Sequence, residues 1–284
     1  MTGAGRSGEV ITSAANPRIR AALSLRERRG RARSGRLLVD GSREVLRALE
    51  AGLAVREAFV APGPTPPDAA DVVARLVALD VPLVAVAGAA WSRLAYGERG
   101  SEVIAVVDAP PTDLARLESI VAVTADPLLI LVEDAEKPGN LGAIARCADG
   151  AGATALLVAV SRGPAADPWN PNAIRASLGT VLSLPIAVAP TRTLLPWLRD
   201  LAIRIVAARV QAAEDYRDSD LRGPVAIAVG SEALGLGPDW AAEDVAGVRL
   251  PMLGRADSLN VAAAAAVLLY EARRQRDRAG SPTP

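Results

Sequence analysis

The 284-residue chain has no histidine, one cysteine (Cys147) and one lysine (Lys137). Without histidine, Ser-His-Asp and Cys-His nucleophilic catalysis are excluded, and a zinc site of the usual Cys/His type cannot be assembled, so no metal is expected. A single cysteine forms no internal disulfide, in keeping with a reducing, cytoplasmic setting. Long hydrophobic runs are also missing. The longest, Val261 to Leu269, is far short of a bilayer span, and the opening MTGAGRSGEV holds no apolar signal-peptide core, so no membrane is expected. Formal net charge is zero, which leaves no global electrostatic argument for a polyanionic partner. Neither GxGxxG after a strand nor GxxxxGK[ST] occurs, and dinucleotide oxidoreductases and P-loop NTPases lose their usual support.

Half of the residues are apolar and 23% are charged, the balance of a folded soluble chain, and the length suits two domains. Residues 11–37 carry eight arginines between Asn16 and Leu37 against one acid, Glu27. This stretch is either a phosphate-contacting arm or helix, using residues such as Arg18, Arg20, Arg28 and Arg29, or a solvated helix face. RLLVD, VREAFV and VPLVAVA read as strands, with an amphipathic helix ending at Gly52 and a helical segment near 69–79. Residues 1–108 thus form a small α/β domain. Residues 109–126, with paired prolines, read as a linker containing one turn of helix.

From residue 127 to 284, short apolar runs alternate with helix-length segments: LLILVE, ALLVAV, LPIAVA, IRIVAA, VAIAVG and VRLPM. The pattern predicts an α/β fold with a mainly parallel sheet covered on both faces, whose ligand site lies in the loops beyond the strand ends. Four loops carry chemistry. In EKPGNLGAIARCADGAGA, Pro138-Gly139 turns after a strand and Asn140 is expected as the N-cap of a helix through Ala148. Arg146, four residues after Gly142, either reaches back toward an anion at that helix start or is a surface arginine. NAIRASLG offers Arg175 and Ser177 as candidate RNA contacts. AVGSEALGLG bends through Gly230, Gly235 and Gly237 with Glu232 in the turn. RLPMLGRADSLN starts a helix near Ser258, Leu259 and Asn260, where polar side chains either cap the helix or face a substrate.

In this order, each at a strand end, NLGAIAR, IRASLG, GSEALGLG and LPM…SLN resemble the SpoU (TrmH-like) branch of the SPOUT RNA methyltransferases over residues 128–273. The front part resembles an L30e-like RNA-gripping domain. The resemblance implies a deep trefoil knot, S-adenosylmethionine as cofactor, a homodimer with active sites at the subunit interface, and methyl transfer to a ribose 2′-hydroxyl. The implied substrate is 23S ribosomal RNA, with antibiotic resistance as one use. Transfer RNA methylation and a non-catalytic ribosome-assembly role are the alternatives, beside an α/β enzyme for an unrelated small substrate. It further implies catalytic roles for Arg146, Asn140, Glu232, Ser258 and Asn260, a cofactor cradle at Ala208, Gly230, Leu250, Met252 and Leu259, and phosphate contact by Arg175. Ser231 stands where many members have asparagine, and Ala262 where many have serine. A guanidinium is a poor proton acceptor, so Arg146 is expected to hold phosphate and stabilise alkoxide charge while Glu232 or water takes the proton.

Overall fold

The computed structural model describes residues 10–63, 65–95, 102–163 and 166–280. Most of the opening stretch read above as lacking a signal-peptide core, residues 1–9, lies outside them. Along the chain the elements are α1 (Pro17–Ser24), α2 (Arg28–Ser34), β1 (Arg36–Asp40), α3 (Ser42–Glu50), β2 (Val55–Val60), α4 (Pro67–Ala78), β3 (Leu83–Ala85), α5 (Gly88–Leu94), β4 (Val103–Asp108), α6 (Leu114–Ala122), β5 (Leu128–Glu133), α7 (Pro138–Gly150), β6 (Ala155–Val160), α8 (Pro171–Ala176), β7 (Ile186–Pro190), α9 (Thr191–Asp200), β8 (Arg204–Ala208), β9 (Glu214–Asp215), β10 (Val225–Val229), β11 (Val245–Arg249) and α10 (Val261–Gly280). They form two compact units. The first runs to Pro110 and also takes in Trp169–Ser183; the second holds Pro111–Pro168 and the chain from Leu184 onward.

The first unit is built on a four-stranded sheet of order β1-β4-β2-β3. Strand β4 lies antiparallel to β1 and β2, and β3 pairs parallel to β2. The arginine-rich stretch folds as two short helices. Asn16 caps α1 by accepting the Arg18 N–H at 2.9 Å, and Pro17 supplies the fixed φ of the first helical position. Ile19, Ala22 and Leu25 sink into a core with Leu38, Phe59 and Ile104. Two of the arginines are structural. The buried Arg31 guanidinium donates to the carbonyls of Leu25 (2.8 Å) and Arg26 (2.6 Å), and Arg26 donates to that of Leu94 (2.8 Å). Gly30 permits the close approach of α2 to α1, since a Cβ there would stand 1.9 Å from the Ser24 carbonyl oxygen. Within this unit α8 packs on β1, and the turn that follows it packs on α3.

The second unit is an α/β fold around a seven-stranded sheet of order β7-β6-β5-β10-β8-β11-β9, with every neighbouring pair parallel. The central strands β5 and β10 are buried along their whole length. Burial on both faces is what their unbroken apolar composition requires. Residues 109–126 differ from the expected linker with one turn of helix. They contain the nine-residue α6, capped by Asp113, whose side chain accepts the Arg116 N–H at 2.8 Å. Leu114, Leu117 and Val121 fall on one helical face and pack into the core with Leu129, Leu157 and Trp197.

Candidate active site

The loops after β5, β8, β10 and β11 leave the sheet at its carboxyl edge, where open parallel sheets bind ligands. The loop after β10 folds tightly on itself. Gly235 takes a φ of 64° and its N–H bonds the Ser231 carbonyl at 3.0 Å. A Cβ on Gly230 would stand 2.0 Å from the carbonyl carbon of Gly235, so no other residue fits this bend. The far end of the loop is tied to β5. Glu133 is fully buried, and its carboxylate accepts the Gly237 N–H at 2.7 Å and the Thr191 hydroxyl at 2.7 Å.

The loops after β8, β10 and β11 line a cavity of about 540 Å³, within the range of small-molecule sites. Ala208, Gly230, Leu250, Met252 and Leu259 all line it, with Ser231, Glu232, Asp257 and Ser258 as polar groups on the same wall. The lining therefore suits a ligand with a flat apolar part and a charged part. Leu234 and Val210 also line it and remain more than half exposed.

Beside the cavity, three loops converge on Glu232. The side-chain amides of Asn140 and Asn260 both donate to Oε1 at 2.6 Å, and the Lys137 ammonium pairs with Oε2 at 2.9 Å. The hydrogen bond from Lys137 pulls the Glu232 carboxyl below the usual glutamate range; partial burial opposes this, and the Asn140 amide and the lysine charge reinforce it. Glu232 is consequently a weak base and a firm hydrogen-bond acceptor. Asn260 serves two ends at once, because its Oδ1 accepts the Ala262 N–H at 2.9 Å and so opens α10.

The structure corrects the reading of Asn140. Helix α7 begins at Pro138 with Lys137 in the capping position, so Asn140 lies inside the first turn and its side chain points across to Glu232 instead of back to the backbone. Pro138 explains the earlier start, being preset for the first helical position. Ser177 is also corrected. It is fully buried, its hydroxyl donates to the Ile174 carbonyl at 2.8 Å and accepts the Val181 N–H at 3.3 Å, and it offers nothing to RNA. Arg175, half-buried in the first unit, acts on Glu44, whose carboxyl is raised by burial despite the nearby arginine charges. Ser258 is exposed at the cavity mouth.

Arg146 is exposed on α7 and does not line the cavity. Among the described residues it makes no hydrogen bond or ion pair, leaving its full donor fork for a ligand. In the first unit Arg20, Arg28 and Arg29 are exposed, and Arg18 pairs with Glu57 at 3.0 Å. Two residues of the site escaped the sequence reading. Glu133 was visible as a lone acid closing an otherwise apolar strand, and Lys137 as the single lysine in the chain. No cluster of three metal-ligating side chains occurs among the described residues, and none of their helices is long and apolar enough to cross a membrane.

The SpoU rRNA methylase family profile matches residues 127–270, and an MRM3-like substrate-binding domain profile matches residues 16–105. A 23S rRNA (uridine(2479)-2′-O)-methyltransferase of Streptomyces viridochromogenes is 37% identical over 185 residues, covering 63% of this chain and 62% of that protein. The match thus spans less than two thirds of that relative. The fold superposes on a crystal structure titled RNA 2′-O ribose methyltransferase with a TM-score of 0.82 at 40% identity, covering 94% of this chain and 99% of the other. It also superposes on the SpoU methyltransferase AviRb from Streptomyces viridochromogenes in complex with AdoMet, with a TM-score of 0.78 at 33% identity, covering 94% and 100%.

Proposed function

The chain belongs to the SpoU rRNA methylase family, and from that premise we propose that it transfers a methyl group from S-adenosylmethionine to a ribose 2′-hydroxyl of 23S ribosomal RNA in the cytoplasm. The observation that carries the reading is the cavity at the strand ends, walled by Ala208, Gly230, Leu250, Met252 and Leu259 and bordered by the Asn140–Glu232–Asn260 network. Two neighbouring proteins support it by name, the 23S rRNA 2′-O-methyltransferase of Streptomyces viridochromogenes and AviRb crystallised with AdoMet.

The residues present fit that cofactor. Apolar walls suit an adenine, the tight Gly230 bend presents bare peptide groups, and Glu232 and Asp257 line the same cavity and suit a cationic sulfonium and ammonium. When bound, the cofactor supplies an already activated methyl group, so the protein's task is alignment and removal of one proton. Arg146 holds the phosphate beside the target nucleotide through its two-pronged fork and stabilises charge developing on the ribose oxygen. Glu232 orients Asn140 and Asn260, and because its Oε1 and Oε2 are already engaged by these amides and by Lys137, a water relays the proton to bulk solvent. Ser258 guides the ribose at the cavity mouth. Exposed apolar side chains of the second unit, Leu234 (65%), Leu253 (99%) and Tyr270 (53%), favour a second copy of the chain as cover, and a homodimer brings Arg146 to a site it does not reach alone. The first unit, with Arg20, Arg28 and Arg29 on its surface, grips structured RNA; the trefoil knot belongs to the same proposal.

Calorimetric titration with S-adenosylmethionine and S-adenosylhomocysteine tests the cofactor, and absence of heat removes the catalytic reading. Primer extension on ribosomal RNA incubated with the protein then distinguishes the product. A stop seen only at low nucleotide concentration marks ribose methylation, whereas a stop at all concentrations marks a base product.

A further inference from the structure

We propose that Lys137 is a positioning residue of this site: by engaging Oε2 of Glu232 it fixes the carboxylate so that Oε1 receives both Asn140 and Asn260, and so sets the amide orientation that opens α10. The inference rests on the methyl-transfer reading for its catalytic meaning, but not for its geometry.

A carboxylate accepts hydrogen bonds and donates none while ionised. With Glu232 charged, Asn140 and Asn260 must both turn their NH2 groups toward it, as they do at 2.6 Å. Asn260 then has its Oδ1 free for the Ala262 N–H, the bond that caps α10 directly after the cavity residues Ser258 and Leu259. A protonated Glu232 offers a hydroxyl, to which either amide can turn its oxygen; for Asn260 that flip breaks the helix cap. The state of one carboxyl is therefore read out at the start of the helix that borders the cavity.

The charged groups facing Glu232 are few. Lys137 comes from the start of α7, with Glu136 next to it, while Asn140 and Asn260 are neutral. Arg209 and Asp257 line the same cavity, and neither bonds or pairs with Glu232. Lys137 is thus the cation that holds the Glu232 carboxyl below its ordinary value, and its own ammonium is held above its usual value chiefly by the Glu232 hydrogen bond.

Because Lys137 is the only lysine, reductive methylation of the whole protein with ¹³C-formaldehyde marks its Nζ and the chain's α-amine alone. The dimethylated nitrogen keeps its charge and one N–H. Lys137→Arg assigns the signal by removing it. Titrated from pH 7 to 3, the Lys137 resonance is expected to step with a midpoint below the ordinary glutamate value of about 4.3, and the step is expected to vanish in Glu232→Gln. A flat resonance, or a step that survives in Glu232→Gln, overturns the proposal. In turnover, Lys137→Met is expected to move the acid limb of kcat upward by as much as about 0.7 pH unit, and Lys137→Arg to restore it; a limb unmoved in Lys137→Met overturns the proposal equally. The titration needs neither cofactor nor RNA. A coupled titration in a protein that methylates nothing therefore rejects the methyl-transfer reading and not the Lys137–Glu232 coupling.

Discussion

The buried carboxylate of Glu133, at the end of the central strand, holds the backbone N–H of Gly237 at 2.7 Å, and so fastens the last residue of the glycine bend to the sheet. Glu133→Leu strands that N–H and the Thr191 hydroxyl without partners, at about 1–3 kcal/mol each. We expect lower urea stability, faster hydrogen exchange across residues 231–237 and weaker S-adenosylmethionine binding. Glu133→Gln retains one acceptor oxygen for Gly237 and can donate to the Thr191 hydroxyl, so it should fall between the two. Unchanged exchange in Glu133→Leu refutes the anchoring role.

Gly230→Ala asks for a Cβ 2.0 Å from the Gly235 carbonyl carbon. The bend must open, at about 1–3 kcal/mol for overpacking of this kind. The expected signature is a protein that folds with a modest loss of Tm and no longer gains Tm when S-adenosylmethionine is added. Full cofactor stabilisation in this variant would remove the glycine bend from the binding site.

Arg146 is exposed and makes no hydrogen bond or ion pair among the described residues, so it adds little to the fold of the single chain. Arg146→Ala should leave thermal unfolding of the monomer unit within about 0.5 kcal/mol of the parent and lower kcat by roughly 10²-fold or more, the scale of losing a transition-state donor. Arg146→Lys keeps the charge without the fork and should remain severely impaired. Near-normal turnover by the lysine variant contradicts the positioning role.

Asp134 predicts how stability depends on pH. Burial raises its carboxyl, but hydrogen bonds from the Ser161 hydroxyl, the Ser161 and Arg162 backbone and the Arg162 side chain outweigh this and leave it lowered. A folded pKa below the unfolded value of about 3.9 means the stabilisation is complete above that pH and fades as pH falls through the folded value. Asn suits the left-handed backbone here, φ 48°. The Tm gap between the parent and Asp134→Asn should therefore be widest near neutrality and narrow in acid; a gap independent of pH contradicts the assignment.

Exposed Arg20 and Arg29 offer a last test. If the first unit grips RNA by counterion release, the double alanine variant should lower the slope of log affinity against log salt by about 1 per removed phosphate contact. An unchanged slope excludes both residues.

The sheet of the second unit was legible because a strand buried on both faces must be apolar throughout: the five runs from LLILVE to VAIAVG became strands, whereas VRLPM gives only Val248 and Arg249 to the half-buried β11 and its other three residues lie in the loop beyond. Strand β9, two polar residues at the edge, carries no such signal. Helix α6 hid behind the prolines that precede it, though its buried face recurs at helical spacing. The strand-end loops were legible through their glycines, but not the direction of their polar groups. Asn140 looked like a cap, and only the meeting of three distant loops at Glu232 gives it another partner. Ser177 failed for the same reason, since nothing in IRASLG reveals which side of the turn is covered.

The chain passes from the first unit to the second at Pro110, back at Pro168 and over again at Ser183, three crossings in all. A cut at residue 110 thus yields no clean halves. The downstream fragment would carry away α8 and its neighbouring turn, laying Ala173, Ile174 and Val181 bare to water, while the upstream fragment would lose the covering of β1 and α3. An expression strategy that separates the two units has to graft residues 169–183 onto the upstream piece, or accept two sticky pieces.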